Sequence, residues 1–170
     1  LIARTNISNK PDSSQTNLYG YDLKNKLTSV ISYKSTGTTT NTFLYNDQGI
    51  RVRSSLVGGP TTLYLIDANN HTGYQQILEE LSTPGTTASR SYLLGDDVVA
   101  QCNSEINATK FLLYDGHGST RQLADTSATV SRGYNYNAYG QTLDTSTSTS
   151  QTSLLYCGEQ LDEALTMYNL

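Results

Sequence analysis

Long apolar runs are missing from this chain of 170 residues: none approaches the ~20 residues that a membrane-spanning helix needs. Basic clusters are missing too. Eleven Lys and Arg are scattered along the chain and the net charge is −4, which excludes the stripe of cations that a phosphate backbone demands. Cysteine occurs only at positions 102 and 157, a separation that fits no metal-site spacing; one disulfide or two unpaired, buried thiols both remain open. There is no Gly-rich phosphate loop and no metal-ligating cluster. The reading therefore assigns no cofactor, no metal ligand and no catalytic residue. An initiator Met and a charged-then-apolar leader are also lacking ahead of Leu1, as expected of a fragment of a longer chain.

Apolar residues make up 36% and charged residues 15%, both low, and Thr, Ser, Asn and Gly fill the gap. Disordered chains share the first deficit but are short of aromatics. This chain has 13 Tyr. Tyr and Thr favour pleated, half-buried surfaces, so the composition points to an all-β protein with a polar exterior.

Spacing sharpens that reading. Tyr92, Tyr114, Tyr136 and Tyr156 recur at intervals of about 20 residues, and so do Tyr21, Tyr45 and Tyr64. Such a unit is too short for a helical hairpin repeat and fits two strands with their turns. Between the tyrosines, apolar runs of a few residues end in Gly, Asn, Asp or Pro, the rhythm of a meander. Turns are expected at Lys24-Asn25-Lys26, Asn46-Asp47-Gln48-Gly49, Gly58-Gly59-Pro60, Pro84-Gly85 and Asp115-Gly116. In Ile50-Arg51-Val52-Arg53 the arginines share one face. Tyr74 to Leu81 reads as strand in preference to two helical turns, and a single helical turn is expected over Glu159 to Ala164. Ser35 to Asn41 and Thr145 to Ser153 read as exposed hairpin loops.

Sharper chemistry fails on detail. Asp115, His117 and Ser119 fall within one turn, whereas a catalytic triad is assembled from distant segments. Asp67 to Gly73 resembles a calcium loop but has His71 where Asp or Asn is wanted and no Glu at its twelfth position. The acidic pairs Asp96-Asp97, Glu79-Glu80 and Asp162-Glu163 read as solvated faces. The triplets at Asn6, Asn70 and Asn107 say little about glycosylation in a chain this rich in Asn and Thr.

From Tyr114 the order of residues becomes familiar. Tyr114-Asp115-Gly116-His117-Gly118-Ser119-Thr120-Arg121 is followed by Tyr134-Asn135-Tyr136-Asn137-Ala138-Tyr139-Gly140, then by Tyr156-Cys157-Gly158-Glu159 and Met167-Tyr168. This run resembles the repeat-associated core of Rhs-type YD-repeat proteins. Upstream, Tyr19-Gly20-Tyr21-Asp22 and Tyr45-Asn46-Asp47-Gln48-Gly49 resemble degenerate YD repeats. The departures are Asn137 for the usual Asp, Cys157 for a small hydroxyl or apolar residue, and Ala164-Leu165-Thr166 without the customary Gly. The resemblance implies an antiparallel β-ribbon meander that forms part of a spiralling shell or barrel.

It also implies a division into a polar segment 1–16, repeats and spacer 17–113, and a core 114–170 that stops short of its C-terminal end. In the family that end carries a self-cleaving element, expected here beyond Leu170. The motif residues Tyr19, Tyr21, Asp22, Tyr45, Asp47, Gly49, Tyr114, Asp115, Gly116, Gly118, Arg121, Tyr134, Tyr136, Tyr139, Gly140, Gly158 and Glu159 are expected to be structural: Tyr rings stack on one face, Asp or Asn caps the turn, and Gly supplies positive φ. The expected function is a secreted or cell-surface shell that encloses or presents a C-terminal effector. Its partners are then the rest of the polypeptide or copies of itself, with no nucleic acid and no membrane span. A self-assembling filament and a glycan- or protein-binding surface are the alternatives, and burial of the tyrosines discriminates among them.

Overall fold

The computed structural model describes residues 2–7, 14–83, 88–104, 108–143, 151–162, 165 and 167–169. Its contacts divide into two compact units, 1–89 and 90–170. In the first unit, strands β1 (Ile2–Ile7), β2 (Ser14–Tyr21), β3 (Leu27–Lys34), β4 (Gly37–Tyr45), β5 (Arg51–Leu56), β6 (Thr61–Asp67) and β7 (Gln76–Thr83) pair antiparallel in sequence order. The second unit repeats the plan with β8 (Ala88–Leu94), β9 (Val98–Asn103), β10 (Ala108–Tyr114), β11 (Thr120–Ala124) and β12 (Val130–Gly133). A small ribbon of β13 (Gln160–Asp162) and β14 (Met167–Asn169) follows. The all-β antiparallel meander expected from the sequence is the observed fold, and Gln76 to Leu81 is strand. No helix among the described residues is long and apolar enough to cross a membrane.

Alternation dictates which side chains go inside. In β3 only Val30 and Ser32 are buried, and in β4 only Asn41 and Phe43, the period-two pattern of a strand with one covered face. Phe43 and Val30 together remove enough apolar surface to contribute roughly 3–6 kcal/mol. Half of the buried row is nevertheless polar: Asn17, Ser32, Asn41, Gln101, Ser119, Thr120 and Thr152 are all nearly inaccessible. The Ser, Thr and Asn of this chain are therefore not only an exterior, which explains how so low an apolar fraction sustains a sheet.

Several local expectations are corrected. Ser35 and Thr36 alone form the turn before β4, so the Thr-rich stretch from Gly37 is strand, with Asn41 buried. Thr152 and Ser153 are buried instead of looping into solvent; the preceding 144–150, like Pro84-Gly85, lie outside the described residues. Ahead of Glu159, Tyr156–Gly158 makes a tight turn with left-handed backbone at Cys157 and Gly158, and the chain is extended over Gln160–Asp162, while residues 163 and 164 lie outside the described residues. The thiols are not buried: Cys102 is half-buried, Cys157 is exposed, and both are free. Arg51, on a face shared with Arg53 in sequence, is buried over the rings of Phe43 and Tyr64.

Candidate functional site: a repeated turn and its tyrosine bolt

Five loops share one construction: 22–26, 46–50, 115–119, 125–129 and 137–141. In each, the first residue is Asp or Asn and its N–H donates to the carbonyl of the fifth at 2.9–3.0 Å, while the fourth N–H donates to the first carbonyl at 3.0–3.1 Å. The fourth residue has positive φ in every case: Asn25, Gly49, Gly118, Ala128 and Gly140. This is the three-residue hairpin loop with a left-handed residue closing a bulge. The side-chain oxygen of the first residue completes it by accepting the fifth N–H at 2.8–3.0 Å, and in four loops the third N–H as well. A short oxygen-bearing side chain is thus required at the first position, and either Asp or Asn supplies it.

This geometry places the motif residues. The capping residue of the second loop is Asn46, not Asp47, which rides at the loop's second position. In the third loop positive φ falls on Gly118, and Gly116 has ordinary φ with open space around it. We expect Gly116→Ala and His117→Ala each to change stability by less than about 0.5 kcal/mol in urea unfolding, since His117 contributes its backbone N–H to the loop.

Asp115 gains a further partner. The Nε of Arg121 donates to its second carboxylate oxygen at 2.7 Å, and the guanidinium lies 5.4 Å over the Tyr136 ring. That bond, with the loop N–H groups, holds the Asp115 carboxyl below its ordinary range; the Thr129 N–H does the same for Asp125. Both are therefore expected to add stability that is complete above about pH 4, the unfolded value, and is lost as pH falls through the depressed folded values. Burial pushes Glu159 the other way, so its contribution is present in acid and fades as pH rises. Stability measured between about pH 5 and pH 2 should fall, with a smaller drop in Asp115→Asn, whose amide does not titrate.

The tyrosine that precedes the loop does a second job. Tyr45 ends β4 and its hydroxyl donates to the Leu27 carbonyl at the start of β3, at 2.9 Å. Tyr114 ends β10 and reaches the Val98 carbonyl at the start of β9 at 2.6 Å. Tyr136 reaches the Thr120 carbonyl at the start of β11, again at 2.6 Å. Each bond closes the open end of a hairpin whose turn lies at the other end, and so ties one repeat to the one before. Burial raises the affinity of the Tyr45, Tyr114 and Tyr136 hydroxyls for their protons, which keeps these donors intact well into alkaline solution.

In the second unit the rings continue as a stack. Tyr134 and Tyr136, just past the end of β12, lie 6.5 Å apart and nearly parallel. Tyr136 meets Tyr156 edge-on at 5.6 Å, and Tyr156 meets Tyr168 at 6.3 Å. The Tyr156 and Tyr168 hydroxyls donate to the Ala138 and Gly140 carbonyls. Gly158, with positive φ, packs against the Gly118 carbonyl. Tyr19 is buried in β2, Tyr21 is exposed beside the Asp22 loop, and Tyr139 is fully exposed at the tip of its own. The residues 151–155 cross the covered face: Arg90 and Tyr92 meet the Ser153 hydroxyl, the Gln101 amide donates to the Gln151 carbonyl, and Thr120 donates to the Leu154 carbonyl. Sequence reasoning missed this strap, which carries no repeat signal, and missed the Asp125 loop, which lacks both Tyr and Gly. Its one trace is Asp at the first position.

Chemically, the ensemble fastens backbone to backbone. Among the described residues no group of His, Cys, Asp or Glu could hold a metal ion, and Asp67 to Gly73 is an Asn-centred loop in which the Asn70 oxygen accepts from the Thr72 N–H and hydroxyl.

Comparison with known proteins bears on this arrangement. No protein-family model matches the chain. The tRNA3(Ser)-specific nuclease WapA of Bacillus spizizenii is 27% identical over 154 residues, which is 89% of this chain and 6% of that protein. Among solved structures, TcdB2-TccC3 superposes with a TM-score of 0.62 at 15% identity over 89% of this chain and 8% of that one. A Photorhabdus luminescens Tc holotoxin pore aligns at 13% identity over 91% of this chain and 11% of that one, with a TM-score of 0.42. This chain thus spans between 6% and 11% of the proteins it is similar to, and the superposition on TcdB2-TccC3 speaks to the fold alone.

Proposed function

We propose that this chain, a stretch of YD-repeat β-sheet of the Rhs type, builds part of the wall of a larger secreted or cell-surface shell that encloses or presents a C-terminal effector. The observation that carries the reading is the tyrosine bolt. At three of the five loops the tyrosine that precedes the loop, Tyr45, Tyr114 or Tyr136, is spent on the backbone of the preceding strand, as a wall requires and a binding groove does not. Buried Tyr19, Tyr92 and Tyr134 and the half-buried Tyr136 likewise favour a wall over a row of open sugar-stacking rings. The Asp, Asn and Gly of the loops set turns, so the chain takes no part in chemistry, and any cleavage belongs to other segments of the parent. Residues 17–113 then serve as repeats and spacer, and 114–170 as the core, where the strap and the tyrosine stack finish the sheet.

The test is the mass of the native polypeptide with both ends mapped. A chain far above 18.6 kDa, purifying with a cleaved C-terminal piece, is expected. A native chain of this size purifying without cargo would overturn the reading.

A further inference from the structure

The second unit has one covered face, crossed by residues 151–155, and one open face. Along the open face the register links one residue from each strand: Leu93 to Ala100, Ala100 to Phe111, Phe111 to Ala124 and Ala124 to Val130. Residues directly opposite in antiparallel strands share a face, so these five make a single transverse row. It alternates large and small. Leu93, Phe111 and Val130 stand 61%, 37% and 49% exposed, and Ala100 and Ala124 lie between them at 3% and 8%. The flanking rows, Ser91–Cys102–Thr109 and Leu113–Gln122–Gly133, carry no charge. Contiguous apolar ridges with an uncharged margin are what an interface shows and what a solvated face avoids.

We propose that this face packs against the same face of a second copy. Two copies related by a two-fold axis along the strands would set large against large in exact alignment. A slide of one strand removes the conflict: Leu93 then enters the groove over the second copy's Ala124, Phe111 enters the groove over its Ala100, and both contacts recur in reverse, as a closed two-fold contact demands. Ridges two strands apart repeat every ~9.6 Å, a spacing that another sheet with the same strand separation matches. Four strands at ~4.8 Å and about 20 Å of strand length give roughly 400 Å² per partner, half of what stable complexes bury. Area therefore selects a weak, concentration-dependent dimer over a permanent one, and like charge across the contact does not oppose it.

Sedimentation velocity of the 170-residue chain in reducing buffer, from about 10 μM to about 1 mM, brackets association of that strength. The sedimentation coefficient should rise with concentration in the wild type, and the apparent dissociation constant should weaken at least tenfold in Leu93→Lys and in Phe111→Lys with their circular dichroism unchanged. A second arm starts from Cys102→Ser and Cys157→Ser and adds Leu93→Cys with Ala124→Cys. Those two positions lie three strands, ~14 Å, apart within one copy, too far for an internal disulfide. Oxidation should give a covalent dimer from the pair and none from either alone. A single monomeric species at every concentration, association that both Lys variants leave unchanged, or no covalent dimer would each overturn the proposal.

Discussion

Replacing Tyr136 with alanine is expected to lower stability by about 3–5 kcal/mol, the cost of truncating a well-packed aromatic. Its ring contacts Tyr134 on one side and Tyr156 on another, Arg121 lies over its face, and its hydroxyl fastens the Thr120 carbonyl. Tyr136→Phe separates the parts. It keeps the ring and removes the bolt, for about 1 kcal/mol. Tyr139→Ala, three residues on, removes a ring that is 91% exposed and should change stability by less than about 0.5 kcal/mol. Urea unfolding of the three variants orders them. A loss below about 1 kcal/mol for Tyr136→Ala would mean that the ring is not part of the packing at all.

Gly140→Ala should cost about 3 kcal/mol from two independent sources, a left-handed backbone and an overpacked contact. Gly140 has φ +79°, and a methyl there would come within 2.7 Å of the Tyr156 ring. The ring is itself held by Tyr136 and by the Ala138 carbonyl, so it has little room to retreat. Gly118 occupies the same loop position with φ +76° but open surroundings, the nearest atom being 3.9 Å away. Gly118→Ala should therefore pay the backbone term alone, about 1–2 kcal/mol. Equal losses at the two sites, measured by urea unfolding, would show that the Tyr156 ring yields freely.

The meander was legible because its signal is local. Tyr, then Asp or Asn, then a left-handed residue three places on is a complete recipe for a loop, and period-two burial in β3 and β4 follows from alternation alone. Asp47 and Gly116 were misplaced because residues adjacent in sequence compete for a role that only hydrogen-bond geometry assigns; Asn46 and Gly118 hold it. Ala128 shows why the Asp125 loop was invisible: a residue with a Cβ adopts φ +60° there because the loop bonds impose it. Ser35 to Asn41 and Thr145 to Ser153 read as exposed since polar composition suggests solvent, yet Asn41 and Thr152 are buried. The hydroxyl of each bolting Tyr bonds 16 or 18 residues back, a pairing fixed by strand register and not by any motif.

The wall itself is tested most directly by imaging the native parent polypeptide by electron cryomicroscopy. A closed, hollow particle with this sheet continuous in its wall and density inside is predicted. An open particle, or a closed one whose interior is empty of protein, would contradict the account.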